Sequence, residues 1–354
     1  MSSTRLSAAP SPIADSLTLI ITTSPTPSAP STELLEPVFE SFRTRCPDLL
    51  ACRIIVVFDT YERVGDVARL KKGQVTEQGA RDFAAYKENV KRLVLEAYGR
   101  TAAGDELAEE QGEAEYGYDG RKAALNLATF TVSRTPDQLV TFVEPSERLG
   151  FGLAVRTALR ITRTPFVWIH QHDWQLVADI PVTSILDVMK AEDGHEEAPV
   201  KYVCLASVRM LGYADSAHAH DFPNLRTLTA KLKRNYVAPS NPEVKVPLTP
   251  LFFWHDKPHI ASTQHYLSRV FPTRLAMPRG AFIEDTIGHR ARTQMKEQGM
   301  WAKWACWLYY PDEGKQLCLR HLDGRKYRGA EGEMKMKELW IEKNRTKEER
   351  NDTN

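Results

Sequence analysis

The sequence predicts an α/β fold built on a mixed, mostly parallel sheet flanked by helices, and three observations support this. Short, mostly apolar runs recur at 17–22, 52–58, 139–143, 165–169 and 201–208, with the length and β-branched content of strands buried on both faces. Segments of helical character stand between several of them. The chain has 354 residues, 42% hydrophobic and 26% charged, an ordinary globular mixture long enough for a sizeable core.

Taken in order, the run 17–22 reads as a first buried strand. It ends at Ser-Pro-Thr-Pro-Ser-Ala-Pro, residues 24–30, which neither a helix nor a central strand tolerates. Ser31 or Thr32 then caps a helix reaching about Arg43, with Glu33 in its first turn. The run 52–58 closes on Asp59, completing a strand–helix–strand unit of a parallel sheet. From 61 to 138 the rhythm breaks into a charged, helical insertion. It holds an acidic loop near 105–115 and the Gly-rich stretch Tyr116-Gly117-Tyr118-Asp119-Gly120. A strand at 139–143, a helix at 149–161 and strands at 165–169 and 201–208 follow. Beyond Met210 aromatic and proline residues rise and the alternation is lost, which reads as irregular, substrate-side structure. Residues 1–15 read as a disordered terminus, 16–330 as one domain, and 331–354 as a charged helix fraying into a tail.

Composition removes several function classes. Lys plus Arg number 47 and Asp plus Glu 46, so no global field attracts nucleic acid or anionic membrane. The five cysteines are scattered without a C-x-x-C pair, which argues against a zinc ribbon, and Cys52 and Cys204 read as buried thiols. No apolar run is long enough to span a bilayer and no leader-like segment opens the chain, so a cytoplasmic location is expected.

The chemistry concentrates where strand 165–169 runs into His170-Gln171-His172-Asp173-Trp174. Ligands of open α/β sheets bind outside the carboxyl ends of the strands. Thr22-Thr23-Ser24 end the first strand and Asp59 the second, so all three segments can meet at one sheet edge. Two further groups stand out: Arg148-Leu149-Gly150-Phe151-Gly152, opening a helix, and Phe282-Ile283-Glu284-Asp285. His321-Leu322-Asp323-Gly324 is the last.

In this order the motifs resemble those of the family-2 branch of GT-A glycosyltransferases, over roughly residues 15 to 325. The resemblance implies a nucleotide-diphosphate sugar as donor, UDP-linked by the family's habit, a hydroxyl acceptor and inversion. It implies Mn²⁺ or Mg²⁺ held by Asp173, with His321 as second ligand. Asp285 would be the catalytic base and Glu284 its alternative. Asp59 would hold uracil or ribose and Arg148 would steady the nucleotide. Thr22, Thr23, Ser24, Gly150, Gln171 and His172 would line the donor site. The chain departs from the family pattern at Gln171 (or His170), which stands where the first carboxylate of Asp-x-Asp belongs. A neutral residue there weakens the hold on a hard cation, and His172 would favour Mn²⁺ over Mg²⁺.

Plainer readings stand beside these. Asp173 and the pair Glu284-Asp285 can serve as helix caps, the histidines as hydrogen-bonded core residues, and Gly150 and Gly152 as sites of close packing. The segment 251–259 is either a sugar platform or core, and the Trp and Tyr residues of 301–310 are mostly core. A non-catalytic scaffold of the same fold is the competing function. A metal hydrolase built on His170 and His172 is another, although no compact third ligand is evident.

Overall fold

The computed structural model describes residues 12–100, 107–115, 127–273 and 276–338. In chain order the strands are β1 (Leu17–Thr23), β2 (Arg53–Phe58), β3 (Arg63–Val64), β4 (Gln74–Val75), β5 (Ala108–Glu115), β6 (Leu127–Arg134), β7 (Val140–Pro145) and β8 (Phe166–Gln171). They continue with β9 (Trp174–Leu176), β10 (Tyr202–Leu205), β11 (Arg234–Ala238), β12 (Asn241–Pro250), β13 (His259–Ser262), β14 (Cys306–Tyr309) and β15 (Leu319–His321). The helices that frame the site are α1 (Glu36–Arg45), α2 (Glu77–Ala97), α3 (Phe151–Ile161) and α4 (Val182–Ala191).

Eleven strands form one sheet in the order β11-β12-β14-β10-β13-β8-β1-β2-β7-β6-β5. β7, β2, β1 and β8 pair in parallel, as do β10 and β14. Followed through the antiparallel joints, only β6, β13 and β12 run against β1. The expected α/β fold with a mixed, mostly parallel sheet is therefore the fold the chain has. β1 is buried at every position, as a strand covered on both faces must be. Helix α3 packs on β1 and β2, and α4 on β11 and β12. Helix α2 turns Phe83, Tyr86, Val90 and Val94 inward at helical spacing and is capped by Thr76, whose hydroxyl accepts from Gly79 N at 3.0 Å. All five cysteines are buried and free. Among the described residues no helix is long and apolar enough to cross a membrane.

Three local expectations fail for identifiable reasons. Helix α1 starts at Glu36 rather than after Ser31 or Thr32, because Pro37 lacks an N–H and is tolerated only in a first turn. Thr32 O instead closes a turn onto Leu35 N and Glu36 N. The acidic run near 105–115 is largely strand β5 rather than a loop. It pairs with β6 along its length, and Glu110 meets Arg134 across the pair. A charged strand suits the edge of a sheet, where charge discourages further pairing. The region beyond Met210 is also more regular than expected, since it supplies β11 to β14. Those strands escape the pattern because β13 and β14 are only four residues long and β12 carries three prolines. The Gly-rich stretch 116–120, the first eleven residues and the end of the tail lie outside the described residues, while 329–338 are helical.

Candidate functional site

The chain leaves β1 toward β2 and β7 on one side and returns to β8 on the other. The strand order thus reverses between β1 and β8, the place where open α/β sheets hold ligands. A cleft of about 770 Å³ opens there. Thr22, Thr23, Ser24, Asp59, Arg148, Gly150, Gln171, His172, Asp173, Glu284 and His321 all line it. Of the residues expected at the site, only Asp285 does not. It is exposed, because on the π-helical turn Glu284–Gly288 it is Glu284 that takes the cleft-facing side.

Asp173 sits at the centre. It is buried, and its Oδ2 accepts from Gly324 N at 3.2 Å and from His321 Nε2 at 3.1 Å. Its Oδ1 is buried without a partner. Burial alone would raise its pKa. The His321 hydrogen bond, the charges of His172 and His321 and the Gly324 N–H outweigh that and hold it at about 2. His321 reaches Asp173 from far along the chain because β15 pairs with β9 in antiparallel register, placing His321 opposite Trp174. Leu322 N donates to Asp173 O at 2.8 Å. A Cβ on Gly324 would stand 2.9 Å from Asp173 Cβ, so this approach requires glycine. Asp323, held at φ 51, lies with Oδ1 3.0 Å from His321 Nδ1 and orients the ring. The Asp173 hydrogen bond raises the His321 pKa despite partial burial.

The two other histidines separate cleanly. His170 is fully buried, with Nδ1 accepting from Trp168 Nε1 at 3.1 Å and Nε2 2.7 Å from Trp174 O. Burial lowers its pKa to about 4, and both ring nitrogens are occupied in shaping the turn that presents Asp173. This leaves the His170–His172 metal pair without one of its ligands. His172 lines the cleft, its Nδ1 2.7 Å from Thr23 Oγ1, which in turn lies 2.8 Å from Tyr86 Oη. Burial lowers its pKa as well, against the pull of the Asp173 charge. Gln171 donates through Nε2 to Asp256 O at 2.9 Å.

Asp59 serves the backbone. Its two carboxylate oxygens accept from Leu149 N at 2.7 Å and Gly150 N at 3.0 Å. Burial raises its pKa to about 6 against the pull of these bonds and of Arg148. Gly150 has φ +80, and a Cβ there would fall 2.3 Å from Gly280 Cα. The Gly-rich start of α3 is thus a tight crossing of two backbones, braced by Asp59.

A second acidic group faces the same cleft, pairing Glu284, the alternative base, with Asp256 of the 251–259 segment. Asp256 and Glu284 clasp each other's backbone: Glu284 N donates to Asp256 Oδ2 at 3.2 Å and Asp256 N to Glu284 Oε2 at 3.3 Å. Burial and the Glu284 charge push the Asp256 pKa well above the usual range, and its Oδ1 is buried without a partner. Glu284 is half-buried. A hydrogen bond from His255, opposed by burial and aided by Lys257, holds it at about 2. The segment 251–259 divides accordingly. Trp254 is fully buried core, whereas Asp256 and Lys257 line the cleft. Cations missed in the sequence are Arg209, Arg320, Arg325 and Lys326, all lining it. Three of them flank His321 within six positions, and that basic cluster was the available signal.

Among the described residues no three His, Cys, Asp or Glu side chains could enclose a metal ion by themselves. Asp173, with Oδ1 unpartnered and Oδ2 3.1 Å from His321 Nε2, nevertheless offers a carboxylate and, once Nε2 gives up its proton, an imidazole braced by Asp323 to a divalent cation that takes most of its ligands from phosphate and water.

No protein-family model matches the sequence, and no curated protein matches it. Among solved structures the chain is similar to a mannosyltransferase from Pyrobaculum calidifontis in complex with GDP-Man and Mn²⁺, with a TM-score of 0.37, 14% identity and 84% of this chain covered. It spans 58% of that protein. It is also similar to glucosyl-3-phosphoglycerate synthase from Mycobacterium tuberculosis in complex with Mn²⁺, UDP-glucose and glycerol 3-phosphate, with a TM-score of 0.33, 12% identity and coverage of 83% of this chain and 69% of that one. These are structures of the class of transferase that the motifs resemble, at an overlap too low to speak for activity or substrate.

Proposed function

We propose that this chain transfers a sugar from a nucleotide-diphosphate donor to a hydroxyl acceptor at the β1/β8 cleft. The observation that carries the reading is the buried, unpartnered Oδ1 of Asp173 at the strand-order reversal, on a carboxylate kept ionised and faced by His321. A buried carboxylate oxygen without a partner is costly, and a cation held there with a diphosphate would relieve it. Asp173 and His321 would hold Mn²⁺ or Mg²⁺, whose contribution when bound is to neutralise charge on the leaving diphosphate. Arg148, Arg325 and Lys326 line the same cleft and add fixed positive charge.

The protein's own groups account for the rest. The bond from the anomeric carbon to the diphosphate oxygen breaks with its electron pair leaving on the nucleotide. The acceptor oxygen bonds to that carbon and gives up its proton. Glu284, ionised and lining the cleft, is the carboxylate suited to receive it. Asp285 is replaced in that role because it is exposed outside the cleft. Asp256 is less available, being buried with its Oδ2 taken by Glu284 N. The donor nucleoside, UDP by resemblance, would lie along Thr22–Ser24 and the Arg148–Gly150 turn.

Thermal unfolding against a panel of nucleotide diphosphates and sugar nucleotides, with and without Mn²⁺, tests the reading. A ligand at about 100 times its Kd stabilises by about 2.7 kcal/mol. A Mn²⁺-dependent shift with one nucleotide, absent in Asp173→Ala, supports it. No shift with any nucleotide would leave the fold as a non-catalytic scaffold.

A further inference from the structure

A second cavity of about 880 Å³ adjoins the cleft and shares Leu70, Val75, Arg325 and Lys326 with it. Its walls are unusually one-sided in charge. Arg69, Lys71 and Lys72 enter from the loop between β3 and β4, and Arg325, Lys326 and Arg328 from the segment after β15. None of the six makes an ion pair among the described residues. Arg325 lies over the Phe282 ring at 5.2 Å, and Arg328 Nη1 meets only Met336 Sδ, at 3.0 Å. The acids lining the cavity are Asp82 and Glu333, engaged by Gln78 Nε2 and by Arg328 N. The loop is held in place rather than loose. Arg148 Nη2 reaches Lys71 O at 3.5 Å, Arg279 pairs with Glu62 at 2.6 Å, and the carbonyl of Gly73 accepts from Glu62 N and Arg63 N. The positive first turn of α2, Thr76 to Gly79, faces the same space.

Six unpaired cations converging on one cavity repel one another unless an anion joins them. We propose that this cavity is the acceptor subsite and takes a phosphate-bearing acceptor, its phosphate held by Arg69, Lys71, Lys72 and the Arg325–Arg328 segment and its hydroxyl presented into the adjoining cleft. This deepens the transferase reading and rests on it for the word acceptor, whereas the anion site stands on four cations that line this cavity and not the donor cleft, Arg69, Lys71, Lys72 and Arg328, with Arg325 and Lys326 shared between the two. Lys71 and Lys72 are exposed, line only this cavity and can be reversed in charge without touching the donor cleft.

The test titrates inorganic phosphate into the full chain by calorimetry, in wild type, in Lys71→Glu/Lys72→Glu and in Lys190→Glu, an exposed charge outside both cavities. Nucleotide-diphosphate binding is measured in parallel. The expected result is phosphate binding that the double variant weakens by roughly tenfold or more, with Lys190→Glu unchanged and nucleotide binding retained in all three. Phosphate binding equal in wild type and double variant, or phosphate displaced by nucleotide diphosphate, would overturn the proposal. So would failure of phosphate to bind at all, unless phosphatidylcholine vesicles carrying phosphatidic acid sediment wild type and not the double variant. That outcome supports the site with a lipid headgroup as the source of the phosphate. If phosphate binds as expected and no nucleotide does, the transferase reading fails and the anion site survives.

Discussion

Two of the buried carboxylates lining the cleft, Asp173 and Asp256, are driven in opposite directions by their surroundings. Both have an orphaned Oδ1. Asp173 meets His321, His172 and a backbone N–H and falls to about 2. Asp256 is raised by its burial and by the Glu284 charge, well above the ordinary range. One wall of the cleft is therefore an anion held ionised, and the other a buried acid whose proton is held more tightly and whose backbone contacts clamp Glu284. In this pair burial pushes both carboxylates up, and the charge of the nearest partner, cationic for Asp173 and anionic for Asp256, decides which of them falls.

The sharpest way to break the comparison is at the clamped base. Glu284→Gln should lower turnover by about 10²–10⁴, the usual worth of a positioned proton acceptor. Asp285→Asn, outside the cleft, should stay within about twofold of wild type. Steady-state kinetics on both variants decides between them, and the reverse order would return the base to Asp285. Next is the cation side. Asp173→Ala should cost about 10²–10³ in kcat and should remove metal dependence with it, as a metal titration of activity would reveal. Asp323→Ala is milder. It frees the His321 ring without removing a ligand and should weaken metal affinity by about 10–100-fold, visible as a raised Mn²⁺ requirement with kcat recovered at saturating metal.

The smallest effect concerns stability. An acid with a raised folded pKa keeps its proton in the native chain after the unfolded chain has lost it. The native state is then penalised as pH rises above the ordinary aspartate range. Asp256→Asn should remove that slope. Relative to wild type, its Tm should rise as pH is taken upward from about 4, the ordinary aspartate range. Asp173 has the opposite sign: its contribution is present above the unfolded pKa and is lost as pH falls toward about 2. A Tm–pH profile in which Asp256→Asn does not gain on wild type as pH rises would contradict the assignment.

How much of this was legible in the sequence follows the same physics. The central strands were, because β1, β2, β7 and β8 carry long apolar runs. The strand ends then placed Thr22–Ser24, Asp59 and Gln171–Asp173 at one edge, and the structure brings them together. The antiparallel flank was not, because strands of four residues leave no periodicity to read. His321 was found by its place in a motif order, but its contact with Asp173 depends on the β9/β15 pairing, a long-range event. Asp256 was passed over because its neighbours Phe252 and Trp254 dominate the segment, and only burial reveals that its carboxylate faces the cleft. The cations of the second cavity come from two segments some 250 positions apart, and no local pattern joins them.

The most direct test of the central claim is the paramagnetic resonance signal of free Mn²⁺, measured with the full chain and a nucleotide diphosphate, in wild type and Asp173→Asn. The account predicts that wild type removes the free signal strongly only when the nucleotide is present, and that Asp173→Asn does not. Equal Mn²⁺ binding by both proteins, or nucleotide binding indifferent to Mn²⁺ and to the substitution, would contradict it.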